Sequence, residues 1–251
     1  MSAPVIRPLI AGNWKMNGLT ASVAEAKAVA DSLWHDPVGV DVAICPPFTL
    51  VASLATALRG STLSVGGQDC HFAPNGAYTG DISAPMLADA GATLVILGHS
   101  ERRALHNEKD ADVSAKVDAA LEAGLKPVIC LGESFEQRHA GRTLEIIEKR
   151  LKLSFPDSLA GTDFVIAYEP FWAIGTGLTP TLEQIEEVHV AIRRIVAARF
   201  GASGERAPIL YGGSVKPDNA AEILKTPEVG GALVGGASLK AKDFLAIIRA
   251  I

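Results

Sequence analysis

The chain has 251 residues, of which 48% are hydrophobic, and a formal net charge of −5 at pH 7. This length permits one or two domains with a large core, and α/β barrels of this size are commonly one domain. The acidic balance and the lack of any block of like charges exclude a nucleic-acid groove or a basic membrane face, and no apolar run approaches the roughly 18 residues of a membrane span.

Short apolar runs rich in strand formers alternate with longer amphipathic stretches along the whole chain. The predicted strands are Leu9–Trp14, Val40–Cys45, Leu63–Gly67, Thr93–Leu97, Pro127–Cys130, Phe164–Tyr168, Ile209–Tyr211 and Ala232–Val234. Helical spacing is clear between them, for example in Ser22–Leu33, Val113–Glu122, Thr143–Lys152, Leu182–Phe200 and Lys242–Ala250. Thr181 and Gln184 predict a capping box ahead of Leu182–Phe200.

Eight strand–helix units predict parallel strands joined by right-handed crossovers. The expected fold class is α/β, a single-domain (β/α)₈ barrel over residues 1–251, with the active-site loops at the carboxyl ends of the strands. A doubly wound open sheet is the alternative. Its usual GxGxxG fingerprint is missing, because the first turn reads Asn13-Trp14-Lys15-Met16-Asn17-Gly18.

Polar side chains follow three predicted strands. Asn13 and Lys15 follow the first, His99 the fourth and Glu169 the sixth. Lys15 could hold an anionic substrate, although lysines are mostly solvated surface residues. A histidine beside a helix N-terminus is disfavoured as a cation and could donate to an oxyanion, or it could simply cap the helix. With no second ligand at metal spacing, a zinc role for it is disfavoured.

Glu169 opens the most informative stretch of the chain. A carboxylate desolvated at a barrel mouth gains basicity and suits a general base, although a salt-bridged structural residue is the simpler interpretation. The residues after it predict a mobile lid, or else an ordinary glycine-rich turn. The predicted lid consists of Pro170, Phe171, Trp172, Ala173, Ile174, Gly175, Thr176 and Gly177.

Two glycine clusters, Tyr211-Gly212-Gly213-Ser214-Val215 and Gly235-Gly236-Ala237-Ser238, follow the last two strands. Barrel enzymes often bind phosphate at these loops, where backbone N–H groups can approach the oxygens closely.

The cysteine pattern bears on the compartment. Three widely spaced cysteines without a CxxC pair, together with an N-terminus that lacks a signal-peptide layout, predict reduced thiols and a cytoplasmic location.

Taken together, these motifs resemble the triosephosphate isomerase family across essentially the whole chain. The matching segments are Gly12-Asn13-Trp14-Lys15-Met16-Asn17, Gly98-His99-Ser100-Glu101-Arg102-Arg103, Ala167-Tyr168-Glu169-Pro170, Trp172-Ala173-Ile174-Gly175-Thr176-Gly177 and Tyr211-Gly212-Gly213-Ser214-Val215.

The resemblance implies interconversion of dihydroxyacetone phosphate and glyceraldehyde 3-phosphate, in glycolysis and gluconeogenesis, through an enediolate and without cofactor or metal. It implies that Glu169 is the base, that neutral His99 polarises the carbonyl, and that Lys15 neutralises charge. This division between a glutamate base and a neutral histidine is part of what the resemblance implies, since it is a known property of the family. Asn13 would orient the substrate. The implied phosphate contacts are Asn13, Lys15, Gly175, Ser214, Gly235 and Gly236.

The resemblance also implies a homodimer. The long segment 68–80 resembles the loop by which subunits of this family interlock, and a flexible surface excursion is the alternative. The loop residues concerned are Asn75, Gly76, Tyr78 and Thr79. Two departures fall at the lid, where Leu178 replaces a common Lys and Phe171 replaces a smaller apolar residue; no implied catalytic position departs.

Two rival functions remain open at this point. A Schiff-base aldolase would need a buried Lys on a strand, and Phe164–Tyr168 contains none. A non-catalytic sugar-phosphate-binding barrel would have no need of Lys15, His99 and Glu169 together.

Overall fold

The computed structural model describes residues 7–173 and 178–251. Eight parallel strands form a closed barrel, in which each strand pairs with its sequence neighbours and β8 returns to β1. The strands are β1 (Leu9–Asn13), β2 (Asp41–Cys45), β3 (Leu63–Gly67), β4 (Leu94–Leu97), β5 (Lys126–Leu131), β6 (Val165–Tyr168), β7 (Ile209–Tyr211) and β8 (Gly231–Val234). The predicted (β/α)₈ barrel is confirmed, and the doubly wound alternative is wrong.

Helices surround the barrel. They are α1 (Val23–His35), α2 (Phe48–Ala57), α3 (Ala84–Asp89), α4 (Ser100–Leu105), α5 (Asp110–Glu122), α6 (Phe135–His139), α7 (Thr143–Ser154), α8 (Leu182–Phe200), α9 (Ala202–Arg206), α10 (Pro217–Leu224) and α11 (Ala241–Ile248). The predicted capping box of α8 is confirmed, because the Gln184 N–H donates to Thr181 Oγ1 at 3.3 Å and the Thr181 N–H donates to Gln184 Oε1 at 3.0 Å.

Successive side chains along each strand point alternately into the barrel and toward the surrounding helices. This alternation builds two apolar layers and directs the last side chains of some strands inward. Leu9 and Ala11 of β1 point into the barrel, whereas Ile10 packs against the helices. On β6, Val165 and Ala167 are the inward residues. Since the side-chain period is two, the next inward positions are Asn13 and Glu169. Both polar groups are therefore delivered to the barrel mouth by the same alternation that fills its interior.

Candidate active site

A cavity of about 740 Å³ opens at the carboxyl ends of the strands. All four predicted catalytic side chains line it, as do the three further predicted phosphate-binding residues that lie within the described part of the chain. These residues are Asn13, Lys15, His99, Glu169, Ser214, Gly235 and Gly236. The structure thus brings together residues that lie more than 200 positions apart in the chain.

Glu169 is fully buried at the end of β6. Its main-chain N–H donates to Leu131 O at 2.8 Å, which continues the pairing of β6 with β5 by one residue. The carboxylate accepts hydrogen bonds from the Ser100 N–H at 3.0 Å and from the Ser100 hydroxyl at 3.2 Å. A buried carboxylate needs such donors, because an unpaired buried charge is strongly destabilising.

His99 is the N-cap residue of α4, and the capping bond fixes its tautomer. The Glu101 N–H donates to His99 Nδ1 at 3.2 Å, so the proton of the neutral ring resides on Nε2. Nε2 lies 3.0 Å from Glu169 Oε1. The capping and functional interpretations of this histidine are therefore compatible, since one ring nitrogen caps the helix and the other faces the cavity.

The pKa values of Glu169 and His99 depart from the sequence expectation because the two groups face each other. Burial, the largest influence, raises the pKa of Glu169, but His99 and Ser100 outweigh it and hold that pKa below its ordinary value. Burial lowers the pKa of His99, but the Glu169 carboxylate reverses this and the pKa is raised overall. A raised carboxylate pKa and a disfavoured imidazolium are therefore wrong for this arrangement of the site. The cap on Nδ1 opposes the second effect, because a protonated ring could not accept the Glu101 N–H.

Lys15 occupies a strained backbone conformation, with a positive φ of 53°. Such angles are costly for residues with a Cβ and persist only where neighbours hold them. Its N–H donates to Asn13 Oδ1 at 3.0 Å, and its carbonyl accepts from Gln68 Nε2 at 2.9 Å. The same Gln68 nitrogen also donates to Cys45 O at 2.8 Å, which ties the loop after β1 to the end of β2.

The Lys15 ammonium reaches the cavity but is not isolated. Nζ lies 2.6 Å from Glu101 Oε1, and the Lys15 side chain is 30% exposed. Gly235 lies beside it, since a Cβ on Gly235 would sit 3.5 Å from Lys15 Cε. A 3₁₀ helix, Gly236–Leu239, begins directly after Gly235. A cation and a glycine-rich loop therefore converge on one wall of the cavity, which suits an anion.

Four residues that shape this site have no separate role in the sequence predictions. Ser100 holds the Glu169 carboxylate, Glu101 caps His99 and pairs with Lys15, and Gln68 braces the Lys15 loop. Gly132 lies against the main chain of Glu169. Ser100 and Glu101 lie within one of the segments that match the family, but no local pattern marks Gln68 or Gly132.

The predicted lid is described only in part. Phe171–Ala173 forms a 3₁₀ helix, and the Trp172 indole N–H donates to Glu133 Oε1 at 3.0 Å. Ile174, Gly175, Thr176 and Gly177, and with them the predicted Gly175 phosphate contact, lie outside the described residues.

The predicted dimer loop stands away from the barrel wall. Asn75, Gly76, Tyr78 and Thr79 are all exposed. His71 stacks on Phe72 with ring centroids 4.3 Å apart, and the ring centroids of His71 and Tyr78 are 4.0 Å apart. The loop is therefore held together by its own aromatic side chains.

Over residues 7–173 and 178–251, no group of three or more His, Cys, Asp or Glu side chains is arranged to hold a metal ion. Within the same described ranges, no helix has both the length and the apolar character needed to cross a bilayer.

Comparison with known proteins identifies close relatives over the full length. The sequence model of one family, described as Triosephosphate isomerase, matches residues 8–251. The triosephosphate isomerase of Caulobacter vibrioides is 56% identical over 251 residues, covering 100% of this chain and 99% of that protein. That of Xanthobacter flavus is 58% identical over 245 residues, with 98% of each chain covered. A crystal structure of triosephosphate isomerase from Bartonella henselae superposes with a TM-score of 0.90 at 47% identity, covering 98% of this chain and 99% of that one.

Proposed function

Since this chain belongs to the triosephosphate isomerase family and interconverts dihydroxyacetone phosphate and glyceraldehyde 3-phosphate in glycolysis and gluconeogenesis, we propose that Glu169, His99, Lys15 and Asn13 perform the reaction. The observation that carries this assignment is the 3.0 Å contact between His99 Nε2 and Glu169 Oε1 inside the shared cavity. It supports a base and a hydrogen-bond donor acting on adjacent atoms of one small substrate.

Proton transfer requires the base to be released from its present partners. Glu169 now accepts from Ser100 and from His99, and these bonds depress its pKa. A substrate carbonyl oxygen that takes the His99 Nε2–H removes one donor from the carboxylate, so the pKa of Glu169 rises. Substrate binding thus strengthens the base and polarises the carbonyl in one exchange of hydrogen bonds. Glu169 then removes a proton from the substrate carbon and returns it to the neighbouring carbon.

The charge on the substrate would be met by Lys15 and the glycine loops. Lys15 must exchange its ion pair with Glu101 for the anionic substrate, which is favourable because a phosphate carries more charge than a carboxylate. The N–H groups of Ser214, Gly235 and Gly236 would bind phosphate oxygens, with Gly175 joining them. Asn13 holds the Lys15 backbone through its side-chain oxygen and thereby orients the cation.

The rival functions are less well supported by the residues present. Among the eight strands of the described residues, the only lysine is Lys126, which lies at the exposed start of β5 and is not one of the cavity-lining residues. A Schiff-base aldolase, which needs a buried strand lysine, therefore finds no nucleophile there. A non-catalytic binding barrel would not require a buried carboxylate against a histidine.

Substitution of Glu169 tests the proposal. Glu169→Gln keeps the shape and the donors around it but removes the base, so kcat should fall by at least about 10²–10⁴-fold with folding intact. A coupled assay with glyceraldehyde 3-phosphate measures it, and Glu186→Gln on the exposed face of α8 is the matched control. Turnover by Glu169→Gln close to wild type would place the base elsewhere.

We further propose a homodimer formed through the loop 68–80. Apolar side chains stand exposed around it, with Met16 at 96%, Phe72 at 47% and Tyr78 at 44% exposure. Sedimentation should give twice the 26.2 kDa chain mass. Thr79→Arg should yield monomers with reduced activity, whereas Thr56→Arg on the exposed face of α2 should not. Sedimentation of the wild-type protein as a monomer would refute the proposal.

A single catalytic domain over residues 1–251 and a cytoplasmic location are also proposals. The pairing of β1 with β8, which joins the two ends of the described chain, supports the first, and one cooperative unfolding transition would test it. All three cysteines are free and buried, which supports a reducing compartment. Fractionation of the source cells tests the location.

A further inference from the structure

We propose that Phe171 and Arg150 are positioning residues for Glu169, the catalytic base, because they hold in place the main chain that follows it. We call this pair of residues the clamp. The inference rests on the proposed role of Glu169 as that base. It concerns the segment Glu169-Pro170-Phe171, which lies beyond the end of β6.

The main chain on both sides of this segment is tied to β5 and its extension. The Glu169 N–H donates to Leu131 O at 2.8 Å, and the Phe171 N–H donates to Glu133 O at 3.1 Å. Gly132 lies between these two bonds and touches Glu169 directly. The main chain at Glu169 is therefore held by these two hydrogen bonds to β5 and its extension. The second bond persists only while Phe171 stays in place.

The Phe171 ring is what covers this pair of hydrogen bonds. Its Cε1 atom lies 2.8 Å from the point where a Cβ on Gly132 would stand, so the ring packs over the glycine itself. On the other side, the Arg150 guanidinium carbon lies 5.3 Å from the centre of the Phe171 ring. This is within the distance at which a cation and an aromatic face attract each other.

The surroundings of Arg150 favour its contact with the Phe171 ring. Asp110 Oδ1 accepts from Arg150 at 3.1 Å and also from Arg103 at 2.5 Å, so two guanidinium groups share one carboxylate. Arg150 Nε is buried and, among the described residues, has no hydrogen-bond acceptor. A partly buried cation with incomplete compensation gains from the negative face of an aromatic ring.

The Asp110 carboxylate also connects the clamp to the part of the site that contains His99. Arg103, the second partner of Asp110, donates through Nε to Gly98 O at 2.8 Å and through its terminal nitrogen to Cys130 O at 3.2 Å. Gly98 directly precedes His99 in the chain. Asp110 therefore links Arg150, which lies against the Phe171 ring, to Arg103, which is bonded to the residue before His99.

The test compares Phe171→Leu and Arg150→Met in the full-length enzyme. Phe171→Leu keeps an apolar side chain but removes the ring face, and Arg150→Met keeps length but removes the cation, while Asp110 retains Arg103 and Ser154. We expect kcat to fall about ten-fold in each, with little change in KM, because a displacement of the base well under 1 Å already reduces turnover. The acid limb of the pH profile should move in both variants, since the environment of Glu169 changes.

Three comparisons separate positioning from a merely structural effect. The double variant should be no slower than either single variant, and Phe171→Tyr, which retains a ring face, should restore kcat. A matched control exists on α8, where the Arg199 guanidinium carbon lies 4.8 Å from the centre of the Phe200 ring, far from the cavity-lining residues. Arg199→Met should lower the unfolding temperature without altering kcat or the pH profile.

The outcomes are distinguishable from those of the proposed function. If Glu169→Gln is inactive while Phe171→Leu and Arg150→Met change only the unfolding temperature, or act additively on kcat, the clamp is refuted and the role of Glu169 stands. If Glu169→Gln remains active, the proposed base is wrong. If kcat falls in Phe171→Leu and in Arg150→Met, falls no further in the double variant, and the acid limb of the pH profile shifts in both, the clamp is established.

Discussion

Substitution of Gly132 by alanine should disable the site by displacing Glu169, the proposed base. Gly132 follows β5, and a Cβ placed on it would lie 1.6 Å from Glu169 O and 2.7 Å from the carbonyl carbon. Real Cβ contacts essentially never fall below 3.0 Å, so the Glu169 carbonyl must retreat by about 1.4 Å. The two nearest obstacles are main-chain atoms of Glu169, so no side-chain rotation can relieve this clash.

The size of the effect follows from that displacement. A misplacement of about 1 Å costs roughly 10²-fold in rate, so kcat of Gly132→Ala should fall by about 10²-fold or more. The hydrogen bond from the Glu169 N–H to Leu131 O would have to distort with the carbonyl, which also lowers stability. Both consequences originate in one methyl group.

Steady-state turnover and thermal unfolding of Gly132→Ala should be measured together, so that loss of activity is read only on folded protein. Gly39→Ala is the matched control, because Gly39 is exposed, has no positive φ and would have nothing within 4 Å of an added Cβ. A Gly132→Ala enzyme that is folded and turns over like the wild type would refute the reasoning that the main chain at this point sets the position of Glu169.

Two further outcomes follow from a partly buried and a fully buried polar side chain, Gln68 and His189. Gln68→Leu should lower kcat/KM by about ten-fold, since two carbonyls lose their donor and the strained Lys15 backbone loses its support. The control is Gln137→Leu in the α6 cap, which should affect unfolding alone. An effect of Gln68→Leu on unfolding alone would contradict the prediction. Burial lowers the pKa of His189 from 6.5 to about 4. The unfolded chain then binds more protons between these pH values, so stability should drop by about 3 kcal/mol as pH falls from 6.5 to 4. Urea unfolding of His189→Gln should lack this slope, and an equal slope in both proteins would contradict the assignment.

The strands were predictable because their patterns are local. All eight predicted strands agree with the observed ones to within one residue at each end. Each is a short apolar run with a glycine, a proline or a polar residue next to at least one end. The helix Leu182–Phe200 has both its spacing and its cap in the sequence. The named helical stretches have no counterpart for α2, α3, α4, α6, α9 and α10. Four of these, α3, α4, α6 and α9, have only five or six residues, which give too little periodicity to recognise.

The membership of the site was predictable but its electrostatics were not. Asn13, Lys15, His99 and Glu169 stand at strand ends, and the topology alone brings such positions together. The pKa directions depend on which groups face each other across the barrel, and the sequence contains no measure of that distance. Gln68 was missed for the same reason, because its partners, Lys15 and Cys45, belong to other strands.

The helix cap at His99 limits how this imidazole can handle protons. With Nδ1 committed to the Glu101 N–H, a second proton on the ring would have to break this capping hydrogen bond at the start of α4. Under the proposed mechanism only Nε2 remains for exchange with a ligand, so this one atom would both give a proton to one substrate oxygen and recover one from the next. The cap at the start of a six-residue helix thus limits the ring to a single exchanging nitrogen.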